Sequence, residues 1–297
     1  MAGLLLVFLS ALSNVCKALA GKRSSRDVVK LPDIILTNAI RMSLCTVIGL
    51  AVVLVTQGAS ALAVCPATLW SALLYAFALA SNVTLWIICI RVTAYIHLDI
   101  FGAMSIVVSI LLCLLFLDES ATLLQIVGAL LMLAANGVTC LEKRRVGDKL
   151  TFRSLLPLLG LMITGGLIDF AMKIYNHLST ADSSAAFNFY AFAFTAAFLF
   201  AGLAFVTRRR SPDRVDSAVI RRVFPFTAIM AVTMFLTSFT KTLAGGMLPA
   251  VVLIPIYNGM AIILSVLAAA FLLKEKPSRG TLLAVCLSFA AIVMINL

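Results

Sequence analysis

Residues 115–141 read LFLDESATLLQIVGALLMLAANGVTCL, and residues 271–297 read FLLKEKPSRGTLLAVCLSFAAIVMINL. Each has an apolar run, a short charged break holding one Glu, and a second apolar run close to the length a bilayer core requires. At a constant offset of 156, without a gap, residues 104–141 and 260–297 agree at Met104/Met260, Ile106/Ile262, Ser109/Ser265, Leu111/Leu267, Leu117/Leu273, Glu119/Glu275, Leu131/Leu287, Ala134/Ala290, Ala135/Ala291 and Leu141/Leu297. Shared apolar composition produces some of these matches, but not readily the aligned Glu. The same offset pairs Lys17 with Lys173, so one register reaches the first and last helices of both halves. Residues 1–141 and 157–297 are therefore expected to be two copies of one unit, joined by a basic linker over 142–156.

Working outward, 63% of the 297 residues are hydrophobic and 12% charged, against about 45–50% and 25% in soluble domains. Such a chain needs lipid around it. Apolar runs predict helices near 2–20, 34–56, 67–90, 94–117, 122–141, 157–177, 186–207, 223–244, 249–273 and 279–296, separated by charged or turn-forming stretches such as GKRSSRDVVKLPD, QGASALAVCP and RRRSPDRVDSAVIRR. The first run has no basic residue before it and Lys22, Arg23 and Arg26 after it, which reads as an uncleaved span, not a signal peptide. Five helices per copy is an odd number, so the copies must cross the membrane in opposite senses. The charges agree. The first loop carries Lys22, Arg23, Arg26 and Lys30 while its counterpart 178–185 has no base; QGASALAVCP has none while its counterpart holds Arg208, Arg209, Arg210, Arg214, Arg221 and Arg222. The expected fold is an all-α membrane protein of ten transmembrane helices in two inverted five-helix repeats.

Of the 23 Lys and Arg residues, all but Lys17, Arg41, Lys173 and Lys241 then fall on one face, which marks it as cytoplasmic. Both termini are expected outside, in a plasma membrane, with short loops pointing to a bacterial inner membrane. The net charge of +11 reads as this topology, with the basic face against anionic lipids and no nucleic acid bound. Monomer and homodimer are both open.

The tail LLKEKPSRGTLLAVCLSFAAIVMINL, its partner LFLDESATLLQIVGALLMLAANGV and the SNVCK end of the first helix resemble the drug/metabolite transporter superfamily, in particular its ten-helix EamA-like members. The resemblance covers essentially the whole chain. It implies a secondary carrier without ATP, whose central cavity is lined by helices 1, 3, 4, 6, 8 and 9. The four-helix small multidrug members carry a membrane-embedded Glu eight residues before a Lys; the corresponding positions here are Leu9 before Lys17 and Gly165 before Lys173. The resemblance thus does not carry over their exchange of cationic drugs for protons.

Polar groups inside spans are where function is expected, because a charge at bilayer depth costs about 2.5–3.5 kcal/mol on insertion scales. Asn14, Lys17, Trp86, Asp169, Lys173, Tyr257 and Asn258 are the candidate substrate-binding residues, with Asn82 offering a similar contact, and His97, Asp99 and Asp169 the candidate gate or coupling groups. Asp169 and Lys173 stand four apart with the acid first, a favourable ion-pair spacing on a helix. Arg41 is expected to snorkel to headgroups, and Glu119 and Glu275 to cap the helices that follow them. The sequence has no HExxH and no GxxxxGK[ST], and its two His have no metal-ligand spacing; no catalysis, metal or cofactor is expected. The seven Cys are scattered singly and read as small apolar fillers. The functional expectation is a secondary active transporter that moves a small polar metabolite, such as an amino acid or sugar, by alternating access, with the proton a candidate coupling ion. A non-transporting or scramblase-like scaffold is the alternative.

Overall fold

In a computed structural model of the chain, the described residues are 1–24, 28, 30–92, 95–142, 152–178, 182–209, 216–272 and 278–296. They form ten α-helices: α1 (Ala2–Ser24), α2 (Leu31–Thr56), α3 (Pro66–Val92), α4 (Tyr95–Phe116), α5 (Leu123–Glu142), α6 (Phe152–Leu178), α7 (Ser184–Arg209), α8 (Ser217–Gly245), α9 (Ala250–Leu272) and α10 (Arg279–Asn296). A single 3-10 turn, Ala59–Leu62, lies between α2 and α3. By length and composition, eight of these helices could cross a membrane, and the apolar stretches Ile100–Phe116 of α4 and Leu123–Thr139 of α5 are shorter. The chain is all-helical and has the makeup of a multi-pass membrane protein.

All ten helices lie close to their expected positions. The largest differences are at α6 and α8, which begin before Pro157 and Pro225 and keep them inside the helix. For α8 the reason is a cap: the Asp216 carboxylate accepts from Ala218 N at 3.0 Å and Val219 N at 3.4 Å, starting the helix at Ser217. At α5 the cap is reciprocal, Gln125 N donating to Thr122 Oγ1 and Thr122 N to Gln125 Oε1, a capping box. The expectation that Glu119 caps α5 is therefore corrected. Glu275 lies outside the described residues.

α1 packs on α8 and α9, α2 on α7 and α8, α3 on α6 and α7, α4 on α6, and α10 on α5 and α9. Fully buried Val7, Met42, Phe187, Phe192, Leu253 and Ile256 tie these helices into one core, where Tyr175 stacks on Phe187 at 4.3 Å between ring centroids. The α4–α6 contact is close enough to require glycine: a Cβ on Gly166 would lie 2.5 Å from Val108 Cβ and 3.1 Å from Ser109 N. Val108 is β-branched and stiff, so it cannot swing aside.

Loops gather at two ends. At one, Asp33 Oδ1 accepts from Asp216 N at 2.8 Å, joining the starts of α2 and α8. At the other, Asp182 accepts from Cys65 N at 2.8 Å and from the Thr68 hydroxyl, and Tyr190 donates to Leu62 O at 2.7 Å. This second end, which also holds residues 117–122 and 246–249, carries no Lys or Arg in its loops and is called here the base-free end; the opposite one is the basic end.

Partial burial would raise the Asp182 carboxyl, but the hydrogen bonds from Cys65 and Thr68 outweigh it and hold the group below its ordinary 3.8. A carboxyl held down in the folded state contributes stability above its ordinary range, and that contribution is lost as pH falls through the folded value. Asp182→Asn is thus expected to melt below wild type at neutral pH, with the gap closing in acid; a gap independent of pH would contradict the assignment. For the packing, Gly166→Ala is expected to cost about 1–3 kcal/mol by overpacking, whereas Gly137→Ala, where no atom lies within 4 Å, should be neutral or stabilising in the same detergent melt.

Candidate functional site

Four bases, Lys17, Arg41, Lys173 and Lys241, lie inside the spans expected from the sequence, and the structure treats them differently. Lys173, near the base-free end of α6, uses all three ammonium protons: on Glu119 Oε1 at 2.7 Å, Gly245 O at 3.0 Å and Leu248 O at 2.9 Å. The other Glu119 oxygen, Oε2, accepts from Ala250 N at 2.6 Å. Glu119 thus caps α9, where a negative charge meets the positive end of the helix dipole. Asp169, one turn before Lys173, binds Lys241 of α8 instead, Nζ to Oδ1 at 2.7 Å. The expected Asp169–Lys173 pair is corrected accordingly: Glu119 and two carbonyls of the α8–α9 corner together take the three protons of Lys173, and Asp169 turns to α8.

Lys241 Nζ also lies 4.2 Å from the centre of the Tyr257 ring on α9, a cation–π distance. The pair is not sealed: Lys241 and Asp169 keep 12% and 17% of their side-chain surface exposed. Beside it runs a buried polar chain from α3 to α7 through α8, in which Tyr75 Oη meets Ser238 Oγ at 3.1 Å, Ser238 donates to Asn188 Oδ1 at 2.6 Å, and Asn188 donates to Thr242 Oγ1 at 3.2 Å. These bonds satisfy the buried hydroxyls and fix the α8 face that presents Lys241.

Lys17 and Arg41 have no hydrogen bond or ion pair among the described residues, and Arg41 Nε is buried without one. Lys17 is within electrostatic reach of Arg41, Lys241 and Cys45. Both face protein. Ser10, two turns before Lys17, donates to Thr237 O of α8 at 2.8 Å, and a Cβ on Gly21, one turn after it, would meet Met230 of α8 at 3.4 Å. Cys45, one turn after Arg41, is buried with its thiol 3.3 Å from Ala231 O, and a Cβ on Gly49 would touch Phe189 and Phe235. Arg41 is thus turned to α7 and α8, which corrects the snorkelling expectation.

Asn14 lies on the Ser10–Lys17 stripe of α1, half-buried and with no hydrogen bond among the described residues. Asn258 donates to Ile254 O of its own helix at 2.8 Å. Asn82 is committed to packing, its amide on Leu161 O and Thr164 Oγ1 of α6 at 3.1 Å. Trp86 is exposed on α3, eleven residues or about 16 Å along the axis from Tyr75. His97 is half-buried in the first turn of α4, and the Asp99 side chain lies outside the described residues. The structure therefore brings together Asp169, Lys241 and Tyr257, sets Lys17 within electrostatic reach of Lys241 and Arg41, and gives Lys173 to another contact. A groove of about 420 Å³ lined by Leu36, Ser217, Ile220, Arg221, Phe224 and Pro225 at the basic end includes none of these groups.

No family model matches the chain and no curated protein does. Among 28 solved chains of similar structure, one crystal structure superposes with a TM-score of 0.70 over 98% of this chain and 95% of its own, at 16% identity. That likeness is one of fold.

The pairing is testable by double-mutant cycles on detergent stability. Asp169→Asn with Lys241→Met, and Glu119→Gln with Lys173→Met, are each expected to show coupling of about 0.5–3 kcal/mol, and Asp169→Asn with Lys173→Met clearly less. The reverse order would restore the intrahelical pair.

Proposed function

We propose that the protein is a secondary active transporter that moves a small polar metabolite across a plasma membrane by alternating access, built from two five-helix repeats of opposite sense. The observation that carries this reading is the convergence of in-span charges from both halves: Lys17 and Arg41 from the first, Asp169 and Lys241 from the second, with Tyr257 against the ion pair. A scaffold has little reason to bear the cost of such groups at depth.

Helix neighbours support the repeat. Exchanging each helix for the one five places away turns α1·α8 into α6·α3, α4·α6 into α9·α1, α3·α7 into α8·α2 and α4·α5 into α9·α10, and leaves α2·α7 and α5·α10 as they are. The caps agree as well: Ser278 Oγ accepts from Thr281 N at the start of α10, and Ser278 stands 156 residues after Thr122, the α5 cap. Inverted repeats of this kind place substrate near the midplane and rock about it.

In this reading the base-free end faces outward and is closed by the Lys173–Glu119 contact, the basic end faces cytoplasm and anionic lipid, and Asp169 is the acid available to a coupling proton. The test is a thermal-shift screen of purified protein against a metabolite library, followed by uptake into proteoliposomes. A true substrate at a hundred times its Kd should stabilise the fold by about 2.7 kcal/mol, and Asp169→Asn should still exchange it but no longer accumulate it. If no solute stabilises the protein while fluorescent lipids flip in the same liposomes, the scramblase-like scaffold replaces the carrier.

A further inference from the structure

Of the four in-span bases, two are accounted for. Lys173 spends its protons on Glu119 and two carbonyls, and Lys241 is held by Asp169 and Tyr257. Lys17 and Arg41 are left over, within electrostatic reach of one another and, for Lys17, of Lys241. Three bases and one acid give this cluster a net charge of +2 among the described residues. Concentrated positive charge between low-dielectric walls attracts anions and repels cations.

Lipid headgroups do not offer the obvious counter-charge. Arg41 is ten residues into α2, about 15 Å from its start, and the residues flanking both bases on their own helix faces touch α7 or α8, not lipid. The bases therefore point into the bundle, and the missing anion has to arrive there. A guanidinium can take a carboxylate or phosphate through two parallel hydrogen bonds, an ammonium adds a third, and Asn14, one turn from Lys17 on the same stripe, has an amide with no partner among the described residues.

Resting on the transporter reading above, we infer that the transported solute is a small organic anion whose carboxylate or phosphate is bound by Arg41 and Lys17, with Asn14 beside them. Asp169 keeps Lys241 occupied, so that two cations of the cluster and not three are without a partner among the described residues.

The test uses the full chain in nanodiscs of zwitterionic lipid, melted with succinate, citrate or inorganic phosphate at fixed ionic strength, and with succinamide and putrescine as uncharged and cationic controls. At least one anion is expected to raise the melting temperature by several degrees, and the controls are not. Arg41→Gln and Lys17→Met should each lose that shift while melting no lower than wild type without ligand, since each removes a cation that has no partner among the described residues. Variants that melt lower yet keep the anion shift overturn the assignment of these residues. A shift from succinamide or putrescine overturns the substrate class and leaves the transporter reading in place. A shift produced only by adding phosphatidylglycerol to the discs makes the cluster a lipid-headgroup site and overturns the proposal. No shift from any solute, combined with no uptake from the metabolite library, removes the transporter reading as well.

Discussion

Burying an ammonium ion among helices is costly unless its protons have acceptors, and Lys173 finds three at the corner between α8 and α9. Much follows from that one group. Glu119 is drawn across from the α4–α5 connection and caps α9 with its second oxygen. Asp169, relieved of the neighbour four residues away, reaches α8 and takes Lys241. With both acids engaged, Lys17 and Arg41 have no acid among the described residues to turn to. The same contact ties the first half of the chain to the second at the base-free end.

The helices were legible because apolar runs of bilayer length can be little else, and their breaks are marked by charge and turn residues. The α5 cap was legible too: Thr122-Leu-Leu-Gln125 has the spacing of a capping box, and reading it would have freed Glu119 for another role. The ion pairs were not. Spacing on one helix suggests which groups can meet locally, but Asp169 and Lys241 are 72 residues apart and Lys173 and Glu119 are 54 apart, and only the packing of α4, α6 and α8 brings each pair together. Arg41 was misread for a related reason. The side of α2 it occupies depends on Cys45 and Gly49 meeting α7 and α8, and a helix apolar almost all round gives little sign of which face is inward.

A superposition over nearly the whole chain at 16% identity is what such a fold allows. Lipid-facing and core positions accept many apolar residues of similar size, so a shared fold does not require a shared sequence.

The contact at Gly166 carries a mechanical meaning. It presses α6, from the second half, against α4, from the first, so closely that the two can hardly slide; α3 lies against α6 as well, and across the molecule α1 lies against α8 and α9. The closely packed helix groups of this protein are therefore assembled from both halves, and the midpoint of the chain does not mark the line along which the molecule can flex. Severing the chain between α5 and α6 would part the two halves in sequence but leave these helix contacts uncut, so the fragments should need one another to fold and should reassemble when expressed together.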